Sequence, residues 1–145
     1  MSDDMSFEAR SQGIAPTAGM LPQSLGIETK GGIFTTLITH GTPVPAKCSE
    51  IFTTADDNQP SIQIRVFQGK HKKATRNQRL GIFEVHGFAL EPRGIPQIKI
   101  VFEVDAYGVL RVSAYDWHTE RQLPVTVSEA ITLLVTQPAR RLYGG

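Results

Sequence analysis

Ile98-Lys99-Ile100-Val101-Phe102-Glu103-Val104 and, past Tyr107-Gly108, Val109-Leu110-Arg111-Val112-Ser113-Ala114-Tyr115 decide the fold of this chain. In the first run Ile98, Ile100, Phe102 and Val104 share one face, opposite Lys99 and Glu103. In the second, Leu110, Val112 and Ala114 oppose Arg111 and Ser113. Successive side chains of an extended strand point to opposite faces, so each run buries one face and wets the other. Working outward, Ile62, Ile64 and Val66 oppose Gln63 and Arg65 within Ser61–Phe67, and Leu123, Val125 and Val127 repeat the pattern. Further β-branched or aromatic runs sit at Ser24–Thr29, Ile33–Ile38, Glu50–Thr54 and Leu80–Val85. Turn residues separate several of the runs: Gly31-Gly32, Pro43 to Pro45, Asp56 to Pro60, Pro92 to Pro96, and Tyr107-Gly108. No long stretch keeps a 3.6-residue period. Strands with one apolar face each need a second sheet to bury it. The expected fold is therefore all-β, an antiparallel β-sandwich of two four-stranded sheets. Gly69 to Gln78 (GKHKKATRNQ) reads as an exposed, basic hairpin loop.

A length of 145 residues suits a single domain. Residues 1–20 are small, polar and aperiodic and read as a flexible leader. Residues 21–128 form the sandwich, and 129–145 a tail in which Ala130 to Thr136 fits either a strand or a short helix. Fifteen basic against 14 acidic side chains is a balance unlike that of a dedicated nucleic-acid binder. One cysteine, Cys48, excludes an internal disulfide framework. No apolar run approaches ~18 residues, and the first ten residues lack the pattern of a signal peptide. These features fit a cytoplasmic protein with no membrane partner.

Candidate chemistry is sparse. His40, His71, His86 and His118 lie in or beside turns on no shared strand face, and Cys48 stands next to Lys47 as a small apolar side chain. Asp56-Asp57-Asn58 lacks the spacing of a calcium loop and reads as a capped turn. Gly31-Gly32 opens no phosphate-binding helix. The cations Lys70, His71, Lys72, Lys73, Arg76 and Arg79 have no interleaved aromatics on which bases could stack. The expectation is a protein that is not an enzyme, with no metal and no specific nucleic acid. A weak polyanion contact through loop 70–79 is one alternative function.

Five stretches carry a more specific signal. They are Ser24-Leu25-Gly26-Ile27-Glu28-Thr29-Lys30-Gly31-Gly32 with Thr35-Thr36-Leu37-Ile38; Phe52-Thr53-Thr54-Ala55-Asp56-Asp57-Asn58-Gln59; Val66-Phe67-Gln68-Gly69; Pro92-Arg93-Gly94-Ile95-Pro96-Gln97-Ile98; and Val112-Ser113-Ala114-Tyr115-Asp116. In this order they resemble the substrate-binding domain of DnaK-type heat-shock protein 70 chaperones, most closely actinobacterial members, from about Leu25 to Val127. The resemblance implies a sandwich that holds an extended apolar segment of an unfolded client polypeptide. It implies that Ile27, Ile33, Phe52, Ile62, Ile64 and Ile98 line a pocket for one aliphatic side chain. Lys30 and Ala55 would arch over the peptide, while Thr29, Thr53, Thr54, Gln59 and Gln63 flank the channel. The family's ATP site lies in a nucleotide-binding domain that these motifs do not include. No cofactor is therefore expected here, and any nucleotide coupling would come from an ATPase-domain partner or co-chaperone in trans. Lys30 replaces an apolar arch residue common in relatives, and Met20-Leu21-Pro22-Gln23 departs from the family linker. Pro124 interrupts the last run. A protein-interaction module with a vestigial groove is the other alternative.

Overall fold

The computed structural model describes residues 19–130. Nine strands follow in order: β1 (Ser24–Thr29), β2 (Ile33–Ile38), β3 (Ala46–Phe52), β4 (Ile62–Gly69), β5 (Gln78–Val85), β6 (Ile98–Val104), β7 (Leu110–Asp116), β8 (Gln122–Leu123) and β9 (Val125–Ala130). They form two sheets, ordered β9-β5-β4-β1-β2 and β3-β6-β7-β8, in which every pairing is antiparallel. The all-β sandwich is as the alternation predicts.

Its core is the set of inward positions. Ile98, Ile100, Phe102 and Val104 of β6 are fully buried, and so are Leu25 of β1, Val66 of β4, Val85 of β5 and Ala114 of β7. Val112 and Leu110 pack against this cluster from β7, where they pair with Phe102 and Val104. The outward partners Gln63 and Arg65 are exposed.

The expected pair of four-stranded sheets is corrected to five and four strands. The cause is Pro124. The run expected as one strand through Leu123, Val125 and Val127 is two: Leu123 pairs with Ala114 in one sheet, and Val125 pairs with Val85 in the other. Proline has no N–H to donate to a ladder, so the chain can change sheets there without stranding a donor. The Pro124 carbonyl accepts from the His86 N–H at 3.1 Å, which fixes the crossing point. The third strand also begins earlier than expected, at Ala46, because its whole length pairs with β6, from Ala46↔Val104 to Phe52↔Ile98.

Two tight turns rest on aspartates. Asp105 Oδ1 accepts from the N–H groups of Tyr107 (2.8 Å) and Val109 (3.0 Å), and Asp116 Oδ1 from those of His118 (2.9 Å) and Thr119 (3.0 Å). Such bonds favour the ionised carboxylate. Chiefly through the Val109 N–H for Asp105 and the Thr119 N–H for Asp116, both groups are held below the ordinary value of 3.8. A depressed folded-state value adds stability that is complete above the unfolded value. That stability is lost as pH falls from about 3.8 through the lower folded values. Carboxyl shifts followed by NMR should give both aspartates midpoints below 3.8; a midpoint at or above it would contradict these caps.

The segments at the edges of the expected domain are also partly visible. Gly19 and Met20, at the end of the expected leader, pair with Val44 and Pro43, and Leu21 is buried in the core. The rest of the leader and residues 131–145 of the tail lie outside the described residues.

Candidate functional site

Register brings three loops to one end of the sandwich. The partners of β1 and β4 run from Ser24↔Gly69 to Ile27↔Val66, so the exit of β1 and the entry of β4 lie together. Ile62 pairs with Val85 at the exit of β5, and Phe52 at the exit of β3 pairs with Ile98 at the entry of β6. The connections 30–32, 53–61 and 86–97 therefore crowd this end.

The first connection is a turn with Lys30 exposed at its tip. Gly31 and Gly32 have φ of +85° and +76°, a region open to glycine at little cost. The Gly32 N–H closes the turn on the Thr29 carbonyl at 3.0 Å, and the hydroxyls of Thr29 and Thr35 meet at 2.7 Å.

The second connection is clamped by its own glutamine. Gln59 Oε1 accepts from the N–H groups of Ala55 (2.9 Å) and Asp56 (3.0 Å), while its Nε2 donates to the Ser61 carbonyl (2.7 Å). Thr53 donates to the Pro96 carbonyl at 2.6 Å. Thr54 is buried, and its hydroxyl accepts from the Gly94 N–H at 3.2 Å. Asp57 Oδ1 accepts from the Arg93 N–H at 2.9 Å, and Asn58 adopts φ +54°. The acidic stretch is thus a capped turn built into the third connection. Ala55 is exposed at its tip.

Beneath these loops, Ile27, Ile62, Ile64 and Ile98 belong to one apolar cluster, exposed by 4, 6, 3 and 0%, and Phe52 packs against it. The Phe52 ring sits 6.5 Å from that of Phe102. Ile33 does not join them. It is half-exposed and bridges to Lys73. Gln63 lies on the outward face of β4. The sequence-derived set is therefore divided: four isoleucines and Phe52 lie in the core at the loop end, the candidate floor of a site, and Lys30 and Ala55 cap two loops. Thr53, Thr54 and Gln59 brace the loop to which they belong.

Sequence reasoning missed that bracing role, and the order of the basic loop. Asn77 receives the His71 N–H at 2.9 Å and donates to the carbonyls of His71, Lys73 and Ala74. Ala74, in a short 3₁₀ turn, is fully buried. Only an asparagine near the end of a loop, with its capacity for local backbone bonds, could have signalled this.

Other candidate groups do not converge. Burial and then the Glu50 carboxylate push the Cys48 thiol up, away from the thiolate a nucleophile needs. Among the described residues no three His, Cys, Asp or Glu side chains are grouped to hold a metal ion. No helix of the described residues is long and apolar enough to cross a membrane. A concavity of about 690 Å³ lies on the outward face of the four-stranded sheet, where Lys99 Nζ stands 5.8 Å from the Trp117 ring centroid, and the Trp117 N–H donates to the Gln97 carbonyl at the end of the third connection.

The family model described as Hsp70 protein matches residues 18–140 of the 145. The chain belongs to the Hsp70 family, and its function is chaperone-related.

Proposed function

We propose that this chain binds extended apolar segments of unfolded polypeptides between the loop tips at Lys30 and Ala55. A central aliphatic side chain of the client would be seated on Ile27, Ile62, Ile64 and Ile98. The observation that carries this reading is the burial of four isoleucines from three strands directly under two loops in an Hsp70-family chain. Fixing the loops through Gln59 and Thr29 limits the ordering entropy charged to binding. Seating one leucine is worth ~1.5–3 kcal/mol. Main-chain hydrogen bonds from exposed loop groups add affinity that any sequence can use.

The four isoleucines are almost fully covered by their own neighbours, so seating a client side chain requires those neighbours to move apart. Binding in this reading uses no cofactor. Thr53, Thr54 and Gln59 act by holding the loop, and Gln63 contributes only along the outer margin of the channel.

A labelled leucine-rich heptapeptide titrated into the protein tests the reading by fluorescence anisotropy. Micromolar binding is expected, with a loss of at least about tenfold in Ile62→Phe, whose larger ring fills the floor. Circular dichroism and thermal melting of the variant separate lost binding from lost folding. No binding by the parent protein would favour a vestigial groove.

A further inference from the structure

Segment 70–79 holds five of the chain's fifteen lysines and arginines and none of its fourteen acids, so the rest of the chain is net negative. Residues 72–74 of this segment are built against the β1–β2 turn, whereas Lys70 follows Gly69, which pairs with Ser24 at the opposite end of β1. The Phe34 N–H donates to the Lys72 carbonyl at 2.8 Å, and the Ala74 N–H donates to the Gly32 carbonyl at 2.9 Å. Ile33 pairs with Lys73. Residues 72–74 therefore run as an added edge beside the turn that carries Lys30. Buried Ala74 and the four hydrogen bonds of Asn77 hold that edge in one shape. Lys70, Lys72 and Lys73 are exposed, as is Lys30.

We infer that this edge sets client specificity: the channel prefers apolar segments whose flanking residues are acidic. The inference rests on the client-binding reading above and names the substrate class for the same site. Cations held on a preformed backbone attract a flanking carboxylate without first being ordered, and the attraction acts over about a Debye length. Acids stand at the same end as well, Glu91 among them, whose carbonyl accepts from the Asn58 N–H at 2.9 Å. Glu28 lies under Gly32, and Asp56 and Asp57 stand on the opposite loop, with Asp57 bonded to the Arg93 N–H. The loop contains no aromatic side chain, so a nucleic acid would gain charge contacts there but no stacking.

The test uses the full chain and three labelled peptides with one leucine core and aspartate, serine or lysine flanks. At low salt the aspartate-flanked peptide should bind about tenfold tighter than the serine-flanked one, and the lysine-flanked peptide weakest. That ratio, read within each protein, should fall toward one at high salt and in the triple variant Lys70→Gln, Lys72→Gln, Lys73→Gln. Equal binding of all three peptides would overturn the inference while leaving the client-binding reading intact. So would a ratio unchanged in the triple variant. An acidic peptide without leucines, or a single-stranded oligonucleotide, that competes as well as the aspartate-flanked peptide would overturn it by showing a separate polyanion site. Failure of every peptide to bind would remove the underlying reading and the inference with it.

Discussion

Gly26→Ala is expected to destabilise the sandwich by about 3 kcal/mol, a large part of the total stability of a domain this size. Gly26 sits on an inner strand of its sheet, β1 between β4 and the edge strand β2, beside a bulge in the β1–β2 pairing. A Cβ there would collide with the Thr35 carbonyl oxygen and come within 2.7 Å of the Phe34 ring. A ring can turn aside, but a carbonyl in a sheet cannot move without its strand. Urea unfolding should therefore show a lower midpoint at unchanged slope. Adding Phe34→Ala to Gly26→Ala should not restore stability, because the carbonyl remains. Full rescue by that second substitution would show that the ring alone sets the constraint.

Phe102→Ala should cost about 3–5 kcal/mol, the range for emptying an aromatic site in a packed core. Phe102 is completely buried on β6, paired with Cys48 on one side and Val112 on the other. Its ring lies tilted by 58° against Phe52, which borders the isoleucine floor. The cavity would thus open beneath the candidate site. Peptide affinity should fall together with stability, and Phe102→Leu, which keeps most of the volume, should preserve more of both. A loss under about 1 kcal/mol for the alanine variant, by urea unfolding, would mean that the two sheets collapse into the space.

The strands that could be read from sequence are those whose inward face is continuous. Ile98, Ile100, Phe102 and Val104 announce β6, and Ile62, Ile64 and Val66 announce β4, because burial on one face dictates alternation. The first half of β3 carried no such signal: Lys47-Cys48-Ser49-Glu50 lies on a sheet edge, where backbone pairing with β6 does the ordering. The division at Pro124 was visible as a proline but not as a change of sheet, since a missing donor says where a ladder stops and not where the chain goes next. At the site, the apolar floor came from the family resemblance together with alternation. The double use of Gln59 by Ala55 and Asp56, and of Asn77 by the basic loop, depends on side-chain amides folding back on their own backbone. No period in the sequence encodes that.

The central claim is that an extended chain binds across the loop end of the sandwich. Backbone amide shifts recorded while an unlabelled leucine-rich heptapeptide is added test it most directly. The account predicts saturable changes concentrated in residues 27–33 and 53–64 and at Ile98, with the β6–β7 turn at Asp105 to Val109 unmoved. Changes confined to the outward face around Lys99 and Trp117, or none at saturating peptide, would contradict it.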